Sequence, residues 1–163
     1  MSNDLLFSSI ASAVAWLFTL LTYGQYRARG RQHQLLWTLG IASFALAVTA
    51  DTVARAQGGW SDGGYRLWYF FGAMHGVTLL GQGTLHLLDK RPWTFSLLEV
   101  IVVLMLVSSL IVLNAPLDVS KLTTPWEPKG TAFPDIAALG FATACTLVPT
   151  RSLLQQHQRL AGW

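Results

Sequence analysis

The stretch YRLWYFFGAMHGVTLLGQGTLHLL, residues 65–88, decides the fold. After Arg66 it carries no formal charge, and as one helix it is long enough for the ~30 Å hydrocarbon core of a bilayer. Turned at ~100° per residue, His75, Thr78, Gln82 and His86 share a stripe, and Gly72, Gly76 and Gly83 share the adjoining one. The opposite face reads Phe70, Ala73, Val77, Leu80 and Leu88, which suits lipid. A spanning helix that keeps its polar and glycine residues on one half turns that half toward protein. Gly72-Ala-Met-His-Gly76 is a small-xxx-small pattern, which lets two backbones approach closely. Working outward from it, the chain reads as an all-α, polytopic membrane helix bundle centred on this helix.

Composition agrees. Of 163 residues, 52% are hydrophobic and only 12% charged, against about 25% charged in soluble domains. Mean hydropathy is +0.43. The net charge of +3 does not point to nucleic acid, because the basic residues sit at the ends of apolar runs. Cys145 is the single cysteine, so no internal disulfide forms. Asp4 and the lack of a basic leader read the first segment as a retained span rather than a cleaved signal peptide.

Taken as one domain, 1–163, the chain divides into five expected spans: about 5–23, 34–57, 65–88, 97–113 and 132–148. In the first, Ser8, Ser12, Ala15, Thr19 and Thr22 form a helical stripe of small and hydroxyl side chains, as helix contacts in membranes use. In the second, Gly40, Ser43, Ala47 and Asp51 share a face, with Arg55 one turn beyond. GGWSDGG, residues 58–64, reads as a tight turn. The fourth is almost purely aliphatic, and Ser96 with Glu99 reads as a capping box at its start. A loop over Ala115–Gly130 and a short amphipathic tail over Arg151–Leu160 bracket the last span.

Basic residues orient the bundle. Arg27, Arg29, Arg31, Lys90, Arg91, Arg151 and Arg159 fall on one side, and Arg55, Arg66, Lys121 and Lys129 on the other. The positive-inside rule then puts the N-terminus out and the C-terminus in. Trp37 and Trp93 mark the inner boundary; Trp60, Tyr65, Trp68 and Tyr69 mark the outer one as an aromatic belt.

Asp51 is the sharpest chemical feature. An aspartate at membrane depth costs about 2.5–3.5 kcal/mol on insertion scales and turns to the bundle interior. It has two readings: a proton or cation site, or an i,i+4 pair with Arg55. The short turn makes spans two and three antiparallel neighbours, bringing Asp51 opposite Phe71 or Gly72 and within one turn of His75. Thr78 and Gln82 read as interhelical hydrogen-bond partners. Asp51, His75, Gln82 and His86 together are the candidate ligand or proton site, and Gly72, Gly76 and Gly83 the packing residues. No cofactor or metal site is expected: His33 and His86, at similar depth, are the pair that would ligate a haem iron, but no ligand cluster accompanies them. No nucleotide-binding, zinc-protease or hydrolase motif occurs, and no lysine lies in a span to carry a retinal Schiff base.

Leu36-Trp37-Thr38-Leu39-Gly40 after the Arg-rich turn, and Arg66-Leu-Trp-Tyr-Phe-Phe-Gly72 opening the next span, resemble bacterial seven-helix membrane sensory input modules. They also resemble uncharacterised multi-pass bacterial membrane proteins. The resemblance covers about residues 5–113 and implies a sensing role without catalytic residues; the chain departs from it by ending after five expected spans. The expected function is therefore non-enzymatic, in a bacterial cytoplasmic (inner) membrane: sensing or binding a small ligand between spans two and three, with the lipid bilayer, a homo-oligomer and a signalling or transport partner as the expected partners. The alternatives are a small proton-coupled transporter or channel using Asp51 and His75, and a haem-bearing redox protein.

Overall fold

The computed structural model describes residues 3–88, 93–114 and 116–117, and every element among them is helical. Helix α1 spans Asn3–Arg29 and α2 spans Gln32–Gln57. Both are long and apolar enough to cross a membrane by length and composition. Next come α3 (Asp62–Trp68), a π-helical segment (Tyr69–Gly76) and α4 (Val77–Leu88), which abut as one continuous rod. Helix α5 spans Trp93–Asn114. The expected fifth span, the preceding loop apart from residues 116–117, the tail, Cys145 and the 89–92 turn lie outside the described residues.

Two glycines set the first reversals. Gly30 (φ 63°) separates α1 from α2, and Gly58 (φ 77°) ends α2, its N–H donating to the carbonyls of Ala54 and Arg55. Positive φ is a conformation glycine adopts without the Cβ penalty. The turn after α2 is shorter than GGWSDGG. Ser61 caps α3 by accepting from the Gly64 N–H at 3.1 Å, so Asp62, Gly63 and Gly64 already belong to the helix. The physical reason is local: a serine cap with an aspartate in the first turn outweighs two glycines of poor helix propensity. The expected capping box at Ser96 is likewise corrected, because α5 already runs from Trp93 and Ser96 is interior to it.

Helix α2 is the middle layer, packed against α1 on one flank and against the α3–α4 rod on the other. Glycines bring α2 and the rod together. A Cβ on Gly40 would stand 2.8 Å from the Leu80 side chain, one on Gly72 3.0 Å from Ala47, and one on Gly83 2.7 Å from the Trp37 indole nitrogen. The glycine stripe therefore faces α2. Leu80, expected on the lipid face, is instead a knob in the hole that Gly40 leaves, whereas Ala73, Val77 and Leu88 of the same expected face are exposed.

The hydroxyl stripe of α1 seals the other flank. Ser8, Ala15 and Thr19 are buried. Ser12 Oγ and Thr49 Oγ1 share a hydrogen bond at 2.9 Å, and the Trp16 indole donates to Thr49 at 3.1 Å. Tyr65 and Tyr69, expected in an interfacial belt, are buried with Met74 and Val112 and packed by Trp60 and Trp68. Their i,i+4 spacing stacks the two rings, at 6.5 Å, on the side where α5 arrives. The Arg66 guanidinium closes that contact by donating to the Val112 and Leu113 carbonyls at the end of α5.

Candidate functional site

Asp51 lies in the last two turns of α2. Its Oδ2 accepts from Arg55 Nε at 2.6 Å and from Ser8 Oγ of α1 at 2.9 Å. Ser8 also bonds Thr52 Oγ1, at 2.8 Å. The pair is partly buried, with about a fifth of each side chain exposed (20% for Arg55, 19% for Asp51). A cleft of about 290 Å³ opens here between α1 and α2, lined by Asp4, Phe7, Ser8, Ala11, Val48, Asp51 and Arg55. A cation entering this cleft would meet a carboxylate already engaged by a guanidinium.

His75 is elsewhere. Ala47, not Asp51, stands opposite Gly72, so Asp51 lies a further turn toward the C-terminal end of α2, ~6 Å along the axis. The sequence-based register was short by that turn, because α3 begins at Asp62 and Gly63 and Gly64 join the rod. His75 lies in the last turn of the π-helical segment. Its Nδ1 is 2.8 Å from the Phe70 carbonyl, and a carbonyl only accepts, so Nδ1 carries the proton and donates. The imidazole also stacks on the Phe70 ring, with centroids 3.9 Å apart. Five residues separate the partners, the spacing of the π pattern itself; short π segments concentrate at functional positions.

The remaining stripe residues are interior: Thr78, Gln82 and His86 are all buried. Thr78, expected to bond across helices, donates instead to the Met74 carbonyl of its own turn, as a threonine hydroxyl readily does. His86 Nδ1 donates to the Gln82 carbonyl at 3.0 Å. Among the described residues no donor reaches the buried Gln82 Oε1. The four candidates thus form three separate features: Asp51 with α1, His75 with Phe70, and Gln82 with His86. Among the described residues no group of three His, Cys, Asp or Glu side chains converges.

A second cleft, of about 280 Å³, does lie between α2 and the rod. Leu46, Thr49, Ala50, Val53, Ala54 and Gln57 line it from α2, and Ser61, Gly64, Leu67 and Phe71 from the other side. The sequence reading expected a ligand between these two helices but named none of these residues. Most are aliphatics on an unremarked face, and only the packing of two helices makes a concavity of them.

The comparisons add no relative. No family model, no curated protein and no solved structure matches the chain.

Proposed function

We propose that the chain is a non-enzymatic, multi-pass protein of a bacterial cytoplasmic membrane that binds a small ligand between α2 and the α3–α4 rod. The observation that carries this reading is an inversion of polarity. Phe7, Leu17, Phe18 and Leu20 on α1 are 68%, 55%, 55% and 65% exposed, and Val103, Leu106 and Leu110 on α5 are 58%, 61% and 62% exposed. Meanwhile Ser8, Thr19, Thr38, Ser43, Thr78 and Gln82 are buried. Water would leave that much contiguous apolar surface uncovered, whereas lipid covers it without cost. Five spans with the N-terminus out complete the proposal, supported by the basic asymmetry.

Binding rather than catalysis is supported by the cleft beside α2 and by the separation of the titratable side chains. Proton-coupled transport is the second reading, favoured by one observation: Asp51 opens to a cleft at the outer end of α1 and α2. Reporters fused after Trp163 and within residues 115–130 test the topology, the first reading cytoplasmic and the second external. In liposomes, ligand-dependent thermal stabilisation without proton flux supports binding; proton-coupled flux abolished by Asp51→Asn overturns it in favour of transport.

A further inference from the structure

The cleft between α2 and the rod has a polarity gradient. Its α2 wall runs from Leu46 to Gln57, ~16 Å along the axis, which makes it a groove rather than a compact hole. Along most of that length the walls are aliphatic or aromatic, with Phe71 at the inner part and Ala54 buried at the base. The rims, Leu46, Val53 and Leu67, are 39%, 47% and 53% exposed, so the groove opens sideways onto the apolar surface of the helices. Thr49 contributes little polarity, because its hydroxyl donates to the Ala45 carbonyl and is engaged by Ser12 and Trp16. Polar capacity collects at the outer end. Gln57 is exposed there, and Ser61, which accepts from Gly64, keeps its O–H to donate. Among the described residues no charged side chain lines the groove.

We infer that this groove takes a single-chain amphiphile with an uncharged, hydrogen-bonding head, of the monoacylglycerol type. The tail lies along Leu46, Val53, Leu67 and Phe71, and the head sits at Gln57 and Ser61. The inference rests on the membrane reading above and specifies its ligand. A lateral opening admits a molecule already dissolved in the bilayer, and burial of its tail against the groove replaces looser lipid contacts. The lack of a cationic partner disfavours an ionised head, which would lose hydration at the groove mouth for nothing in return.

The test uses the full chain in liposomes with a monoacylglycerol carrying a photoactivatable diazirine in its tail. After illumination, adducts are mapped by peptide mass spectrometry. The expected result is labelling concentrated on the two groove walls, reduced about tenfold by Ala50→Phe, which fills the groove from its α2 wall. Ala11→Phe, in the cleft beside Asp51, should leave labelling unchanged. A fatty acid of equal chain length should compete more weakly than unlabelled monoacylglycerol. Labelling spread over the exposed faces of α1 and α5 and indifferent to Ala50→Phe overturns the proposal, as does stronger competition by the fatty acid. A groove left unlabelled because a second copy or residues 118–163 cover it overturns it equally. Alkaline carbonate extraction separates the two levels: release of the chain from membranes defeats the membrane reading, whereas retention with diffuse labelling defeats only the amphiphile.

Discussion

Arg55 grips Asp51 through Nε at 2.6 Å, one helical turn away, while Ser8 of α1 donates to the same carboxylate oxygen. The carboxylate therefore belongs to the α1–α2 contact and not to the rod that carries His75. A double-mutant cycle should show it. Asp51→Asn and Arg55→Gln should each destabilise by about 1–2 kcal/mol, between the values for exposed and buried pairs. Combined, they should cost clearly less than their sum, and Asp51→Asn with His75→Gln should be additive. Unfolding of all the variants in one detergent measures this. Coupling of Asp51 to His75 alone would contradict the geometry.

Gly76 faces α2, where an added Cβ would meet the Gly40 carbonyl at 3.5 Å and the Phe44 amide at 3.7 Å. Its neighbour Val77 is 38% exposed. Gly76→Leu should cost about 3 kcal/mol or prevent assembly, and Val77→Leu should stay within about 0.5 kcal/mol. Thermal unfolding of the two variants side by side decides; equal melting would reverse the assigned facing of the rod.

Arg66 joins the rod to the end of α5 by donating to two carbonyls of the last turn, the position where helices in general leave carbonyls for outside donors. Arg66→Ala should cost about 1.5–3 kcal/mol, the range for hydrogen bonds to a charged group. Amide exchange should accelerate in the α5 segment around Val112 and not in α1. Asp62→Asn should have a much smaller effect, because Asp62 pairs with Arg66 from an exposed position.

Thr49 is the joint of the α1–α2 seam, accepting from the Trp16 indole and sharing a hydrogen bond with Ser12. Thr49→Val keeps the shape but removes both partners at once. It should cost about 1 kcal/mol, close to two average interhelical hydrogen bonds in a membrane protein. Ser12→Ala, which removes one, should cost about half of that. A Thr49→Val variant as stable as the parent in bicelles would show that the seam holds by packing alone.

Residues 65–88 by themselves determined that the rod is helical, that its glycines lie together and that its polar stripe is turned inward. Those properties follow from residue type and helical period, which act locally. The pairing possibilities of Asp51 were also legible, since an arginine four residues on always falls within reach of an aspartate in a helix. Which possibility holds was decided by tertiary structure. Register between helices depends on where each one starts, and Ser61 capping Asp62 moved that start three residues earlier than the glycine-rich turn implied. That shift carried Ala47 rather than Asp51 opposite Gly72 and separated the carboxylate from the histidine. The π-helical segment and the groove beside α2 had no sequence signal either. A widened turn and a gap between helices arise from how whole faces meet, and no periodicity within one segment encodes the surface of its neighbour.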